Sequence, residues 1–536
     1  MSQDGALFAV VRPVEEVTGP SAVRDFGARR SRRDGLDPVE RVVLCVFAVV
    51  SVWVLALQLW LTVTQGRVWT GVNGVYVQDV TQYLAWIRDA SRHVLVSDLF
   101  VLGATPHDYL QPAIVVSGGL VAIGVAPSLA LLVWQPVAVG GTFLAVRSLV
   151  RSQLPARLGR RAALVLALFG GSIGAFQDLW LPWWTWGYVF GVLSLAAMVA
   201  SLLLYQRAVQ GTASVWPAAV LAGLAAWLHP WQGPVLALIV AGAEIVVLAE
   251  PLASPHGPRR RALARPALVL VAIALPIAYY AVLDRADTAW RLAGQSLKAG
   301  IPAWQVLLML APLLAPAALA YRIRPRSFTA AAVRIWPPAA FAVYTAGEHG
   351  IGNEPMHAFL GISIPLAILA AEGVGTVRWA PRTPRRALAT LAVLGLTVPQ
   401  AVSEITGKWR FVRPSAATSI TRSDWQAVGY LTHDPRPGGV LAGFPLGRYI
   451  PSETGRRTYI GDVFWSEPGP KQREAQVARL LAGRMSPLQA RRFVEGTGAR
   501  FLLADCTTRA DLQADLAPVI GSIHRFGCAT VYQLDP

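Results

Sequence analysis

The chain has 536 residues, of which 54% are hydrophobic and 15% charged, and its mean hydropathy is +0.45. Soluble domains carry roughly 25% charged residues, so a soluble globule of this length is excluded. Disorder, a collagen and, with 3 Cys, a disulfide scaffold are excluded too. The formal net charge of +17 points to nucleic acid or an anionic membrane until its placement along the chain is known.

Residues 1–40 are polar, with GARRSRR ahead of the first apolar run, and read as a disordered cytoplasmic tail. Arg41 is then followed by VVLCVFAVVSVWVLALQLWLTVT, ending near Thr64. A helix needs about 20 apolar residues to cross the hydrocarbon core, and this run is too deep in the chain and too long for a signal peptide. Further spans are expected at 127–146, 162–176, 187–205, 216–228, 234–249, 266–283, 303–321, 331–345, 357–376 and 387–403, about eleven in all. The stretch 111–125 is apolar but interrupted by Gly118 and Gly119, and reads as a re-entrant or interfacial piece packed against protein. Residues 41–404 are thus expected to form a polytopic α-helical membrane domain with a long first outer loop, 65–126.

Lysine and arginine gather in cytoplasmic loops. With the N-terminus inside, the inner loops 147–161, 206–215, 250–265, 322–334 and 378–386 hold 18 basic residues and one acid, Glu250. The outer loops 65–126, 177–186, 229–233, 284–302 and 346–356 hold 6 basic residues and 9 acids. The +17 is therefore mainly a statement about orientation. Spread over short inner loops, it argues against a nucleic-acid partner. An odd number of spans places the C-terminus outside. The 45 arginines against 3 lysines fit a GC-rich bacterial genome.

Polar side chains cluster in the outer loops. In loop 65–126, the run DVTQYLAWIRDASRH has helical spacing, with Val80, Leu84 and Ile87 on one face, and predicts a surface helix with Asp79 at its N-cap. Asp89, expected to be solvated, Asp98 and Asp108 compete with Asp79 for a catalytic role. Loop 177–186 holds Trp180, Trp183, Trp184 and Trp186, either an interfacial aromatic belt or a stacking wall for a sugar or isoprenoid. The turn HPWQG places His229, Trp231 and Gln232 where they could bond a diphosphate or sugar hydroxyl. Loop 345–362 concentrates Glu348, His349, Asn353, Glu354 and His357, a density of ionisable groups beside apolar helices that reads as functional. Glu354 and His357 have the i, i+3 spacing that occurs in metal sites, without a second pair, so no clear ligand set for a divalent metal emerges and no cofactor is expected. Arg285 and Lys298 in loop 284–302 could hold a lipid-linked phosphate, or lie on a solvated helix. Glu244 and Glu372 fall within spans, and Glu372 could snorkel or pair with Arg378.

Residues 405–536 alternate helix-like runs (REAQVARLLAG, PLQARRFVEGTG) with strand-like runs (GGVLAGF, RFLLADC, ATVYQL) and predict a small extracytoplasmic α/β domain. Cys506 and Cys528 fall there as a disulfide or two buried thiols; Cys45, inside the first span, reads as an apolar filler.

The many spans, the long first outer loop with Asp79 in VYVQDVTQYL soon after span one, and the C-terminal extracytoplasmic domain resemble the GT-C superfamily of integral membrane glycosyltransferases. Many members carry two acids where this chain has Gln78-Asp79. The resemblance implies transfer of a hexose, mannose being one form, from a polyprenyl-phosphate donor to a glycan, glycolipid or protein acceptor outside the cytoplasmic membrane. It implies Asp79 as general base, with His229, Gln232, His349, His357 and Arg285 holding phosphate or sugar. The competing readings are a transporter or flippase of lipid-linked precursors, and a non-catalytic scaffold acting through its C-terminal domain.

Overall fold

The computed structural model describes residues 35–249, 259–296, 300–350, 354–376, 382–411, 415 and 417–535. Most of the polar tail, together with Lys298, Asn353 and Arg378, lies outside them. Residues 43–536 pack as one compact unit. Hydrocarbon offers a backbone no hydrogen-bonding partner except its own i−4 carbonyl, so apolar runs fold as helices. Among the described residues seven helices are long and apolar enough to cross a membrane: Pro38–Thr64, Pro127–Gln153, Val189–Val209, Gln232–Ala249, Leu263–Ala286, Ala303–Arg322 and Ala387–Trp409. The other expected spans are also helical but shorter or more polar: Arg157–Phe169, Trp216–Leu228, Phe328–Glu348 and Ser363–Thr376. Large apolar side chains such as Val49, Val63, Val220 and Leu275 are exposed on these helices, an arrangement costly in water and natural against lipid. Among the described residues, two acids inside the bundle meet polar partners. Glu244 accepts the Tyr205 hydroxyl at 2.7 Å, and Glu372 pairs with Arg334 at 2.8 Å.

The first loop is an ordered layer over one end of the bundle. Its helix Val77–Ala90 buries Val80, Leu84 and Ile87, as the spacing predicts. The helix begins earlier than expected. Its cap is Tyr76, so Asp79 is the third residue of the first turn and not the N-cap. The stretch 111–125 forms the short helix Pro112–Ala122, packed on the surface helix where Gly118 meets Ala90 so closely that a Cβ has no room.

The C-terminal residues fold as an α/β layer. Strand β1 (Val68–Trp69) of the first loop pairs antiparallel with β2 (Ser419–Ile420), stitching the two regions together. The main sheet has the order β3 (Val440–Ala442), β4 (Phe501–Ala504), β6 (Ala529–Leu534), β5 (Ile520–Phe526). β3 and β4 are parallel and the other pairings antiparallel. Alternation along each strand sends Leu441 and Leu502 to one face, with Val477 and Leu480 of helix Pro470–Leu481. It sends Val440, Phe501 and Leu503 to the other, with Val428 and Leu431 of helix Arg422–His433. That second helix starts with a capping box of Thr421 and Asp424.

Cys506 and Cys528 form a disulfide, while Cys45 is free and exposed. The bridge closes a loop with a sequence separation of 22 residues, for which loop-closure entropy gives about 3 kcal/mol. The double variant Cys506→Ser/Cys528→Ser is expected to lose about that much stability, read as a lower urea midpoint of the full chain in detergent. An unchanged midpoint would show that the bridge adds nothing.

Candidate active site

A cavity of about 180 Å³ opens where the first loop, the helix ends and the C-terminal layer meet. By volume it would hold about six waters. Asp79, His229 and His357, far apart in the chain, all line it, as do Glu354 and Trp231.

Local backbone sets these groups in place. Asp79 follows Tyr76, whose φ of 50° is left-handed, and Glu354 has φ 44°. Such conformations are strained for non-glycine residues and persist where surrounding packing enforces them. At Tyr76 the enforcement is visible. Its hydroxyl donates to Asp178 Oδ1 at 2.9 Å, and its ring packs on Trp183, Trp184 and Tyr188. The backbone of Gly187 lies against the Val75 carbonyl with no space for a side chain. The four tryptophans of loop 177–186 are buried within the protein, Trp180 and Trp184 at 0% exposure. They form neither a lipid-facing belt nor a wall of the cavity. Trp183 and Trp184 instead brace the turn that carries Asp79.

His229 Nε2 and His357 Nδ1 lie 3.1 Å apart, boxed by Trp184 and Tyr188. His229 Nδ1 and both amide atoms of the neighbouring Gln232 are buried without a hydrogen-bond partner among the described residues. Buried polar atoms are normally satisfied, so orphans beside a cavity mark a place for water or ligand.

Electrostatics favour neutral groups here. Burial, then repulsion from Asp462 and Glu354, pushes the Asp79 carboxyl up to about 7, against an opposing hydrogen bond from its own backbone. Burial lowers His357 to about 3 and His229 well below the ordinary range, the latter helped by His357. At neutral pH both imidazoles are uncharged and Asp79 is poised near half-ionisation.

Several residues on or behind the wall carry no sequence signal of a site. Asp462 is 1% exposed. Its Oδ1 accepts the backbone N–H of Phe464 at 2.8 Å and of Trp465 at 3.2 Å, and its Oδ2 is an orphan among the described residues. Burial raises it to about 6, and Arg448 opposes that rise. The turn drives Phe464 and Trp465 into the cavity wall. Trp465 packs edge-on against Trp86 of the first loop, at 5.3 Å, and Trp290, at 5.0 Å, which stack on each other at 5.9 Å. Tyr109, Tyr188 and Tyr280 complete the aromatic lining. Among the described residues no lysine or arginine lines it.

Other expected residues lie elsewhere. Arg285 is exposed on the last turn of helix Arg259–Ala286 and donates to the Ala281 carbonyl at 3.0 Å. Glu348 and His349 are exposed at the end of helix Phe328–Glu348, His349 held to Thr345 O at 2.7 Å. Gln232 is buried behind the wall. Asp98 is buried away from the cavity and bonded to Phe100 N at 2.8 Å; Asp108 is partly exposed. Asp89, expected in solvent, is buried and bonded to Ser97 N at 2.8 Å.

Removing this edge-on packing by Trp465→Ala is expected to cost about 3–5 kcal/mol. It should raise hydrogen–deuterium exchange in both 82–90 and 288–296; unchanged exchange in either segment would mean that Trp465 does not hold the two together.

No protein-family model and no curated protein matches the sequence. Solved structures do. The chain is similar to the Archaeoglobus fulgidus oligosaccharyltransferase in its apo form, with a TM-score of 0.53 and 14% identity, covering 87% of this chain and 69% of that one. It is similar to the same enzyme tethered with an acceptor peptide containing the NVT sequon, with a TM-score of 0.52 and 15% identity over 93% of this chain and 74% of that one. ArnT from Cupriavidus metallidurans bound to undecaprenyl phosphate gives a TM-score of 0.48 and 15% identity over 92% and 97% of the two chains. The chain therefore shares the polytopic helical fold of the A. fulgidus oligosaccharyltransferase.

Proposed function

We propose that this protein is a membrane glycosyltransferase. It moves a hexose, of which mannose is one form, from a polyprenyl-phosphate donor to an acceptor hydroxyl on the extracytoplasmic face of a bacterial cytoplasmic membrane. The convergence of Asp79, His229 and His357 on one aromatic-walled cavity at the helix ends carries this reading. Aromatic faces pack against sugar C–H groups while carboxylates and tyrosine hydroxyls bond sugar hydroxyls, a lining of the kind that fixes polar ligands in clefts. The A. fulgidus enzyme of the same fold has been captured with dolichol-phosphate and an inhibitory peptide, which supports a lipid-linked donor. The Cys506–Cys528 bridge fits an oxidising compartment for the C-terminal layer.

In this reading Asp79 takes the proton of the acceptor hydroxyl as its oxygen attacks the anomeric carbon. The bond from that carbon to the phosphate oxygen breaks and polyprenyl phosphate leaves. A carboxyl near pH 7 suits a general base at neutral pH. The paired imidazoles, neutral at working pH, use one N–H in the bond between them and leave one N–H to donate to a departing oxygen. The scaffold reading loses ground because the C-terminal layer supplies Phe464 and Trp465 to the cavity itself.

Asp79→Asn is expected to reduce transfer from a purified polyprenyl-phosphate sugar by about 10²–10⁴-fold, with expression and thermal unfolding unchanged. Full activity in that variant would end the role given to Asp79, and intact lipid-linked sugar flipping without any transfer in the native chain would favour the transporter.

Asp79 works only when ionised, and its acid limit is raised to about 7. The rate should therefore rise with pH through about 7 and fall below it. Asp462→Asn removes the like charge, so the rise should move to lower pH; a limb that does not move would show that Asp462 does not act on the base.

A further inference from the structure

Ten residues along the surface helix from Asp79, about 15 Å away, a second polar group has no part in the proposed reaction. Asp89, in the last turn, is 7% exposed. Its Oδ1 lies 2.9 Å from His93 Nδ1 and its Oδ2 lies 3.5 Å from His107 Nδ1. The two imidazoles face each other with ring centroids 4.2 Å apart. One ligating atom from each of the three residues falls within 4.8 Å of the others.

We propose that Asp89, His93 and His107 form a zinc-type metal site that clamps the first loop, leaving one coordination position to water. Two imidazoles and a carboxylate are the donors of a borderline transition ion, whereas Mg²⁺ and Ca²⁺ take oxygen ligands. Tetrahedral Zn²⁺ with bonds of about 2.0–2.1 Å sets its ligand atoms about 3.3 Å apart, so atoms now within 4.8 Å of one another close by at most about 1.5 Å. The histidine side chains, 48% and 40% exposed, are free to make them. The carboxylate is the fixed partner, oriented by the Ser97 N–H at 2.8 Å. The Leu95 carbonyl lies 3.1 Å from His107 Nδ1. An N–H donated there leaves Nε2 for the metal, the outer-shell arrangement usual for metal-bound histidine. Arg457 stands near enough to act on Asp89. It is held by the Asp98 and Gly103 carbonyls and the Thr105 hydroxyl, and it weakens the site without blocking it.

The backbone gives the clamp its purpose. His93 lies just beyond the helix, its N–H bonded to Asp89 O at 3.1 Å. His107 comes from the returning limb of the loop, where Val96 and Tyr109 exchange hydrogen bonds of 2.8 and 3.2 Å. Tyr109 lines the cavity and packs 4.3 Å from Trp86, one turn before Asp89. An ion here ties together the two segments that carry one wall of the cavity.

The full chain in detergent, freed of metal by a chelator and dialysed, would be titrated with ZnCl₂ by calorimetry. Asp79→Asn and His93→Gln/His107→Gln would be titrated in parallel. The native chain and Asp79→Asn should bind one zinc equivalent that the double histidine variant lacks or binds at least about tenfold more weakly. Zinc should raise the unfolding temperature only where that equivalent is bound, and Co²⁺ should give a tetrahedral visible spectrum in the native chain and in Asp79→Asn but not in the double histidine variant. Both histidines are exposed, so their loss leaves the fold intact, which the metal-free unfolding temperature verifies. Equal zinc uptake by the native chain and the double variant, or no uptake by the native chain, would overturn the proposal and leave a cluster of histidine–aspartate pairs.

Discussion

Hydrocarbon cannot hydrogen-bond, and the structure is organised around that constraint. Within the bundle the backbone closes on itself in helices, and the few charged side chains meet partners, as Glu244 does with Tyr205 and Arg334 with Glu372. Polar chemistry has room only where helices end. The turn at His229, the short 3₁₀ segment Pro355–Phe359 carrying His357, and the surface helix carrying Asp79 end at one such place. The C-terminal layer closes over it, tied down by the β1–β2 pairing and by Arg457 on the Asp98 and Gly103 carbonyls.

That closure changes the chemistry of what lies beneath. An aspartate on an open surface helix would titrate near the ordinary carboxylate value. Asp79, roofed by Trp465 and facing Asp462, is pushed to about 7. The same desolvation keeps the histidine pair neutral. The strain at Tyr76 and Glu354 belongs to the same arrangement. At Tyr76 the left-handed backbone is sustained by the buried tryptophans and by the Tyr76–Asp178 bond. Loop 177–186 thus acts at one remove, through the turn it braces.

Much of this was legible before any coordinates. Apolar run length marked the helices, and short apolar runs such as VLA and FLLA between turn residues marked the strands of the C-terminal layer. Asp79, His229, Glu354 and His357 stood out because ionisable groups beside apolar helices are costly unless used. Arg285, Glu348 and His349 stood out for the same reason, yet they sit on exposed helix ends. Charge density in a loop does not say which way a side chain points. Asp89 misled in the other direction: its helical position suggested solvent, but the loop folds back over it and buries it.

By itself, the sequence determined the helices, the strands and the acidic first loop, because these follow from local periodicity and from the cost of polar groups in lipid. Only the tertiary structure decided that Asp462 and Trp465, nearly 400 residues downstream, would face Asp79. It also decided that His229 and His357 would pair and that Asp89 would gather two histidines. Those juxtapositions depend on how distant segments pack, and a carboxylate becomes a candidate base only when packing removes its water and sets another carboxylate beside it.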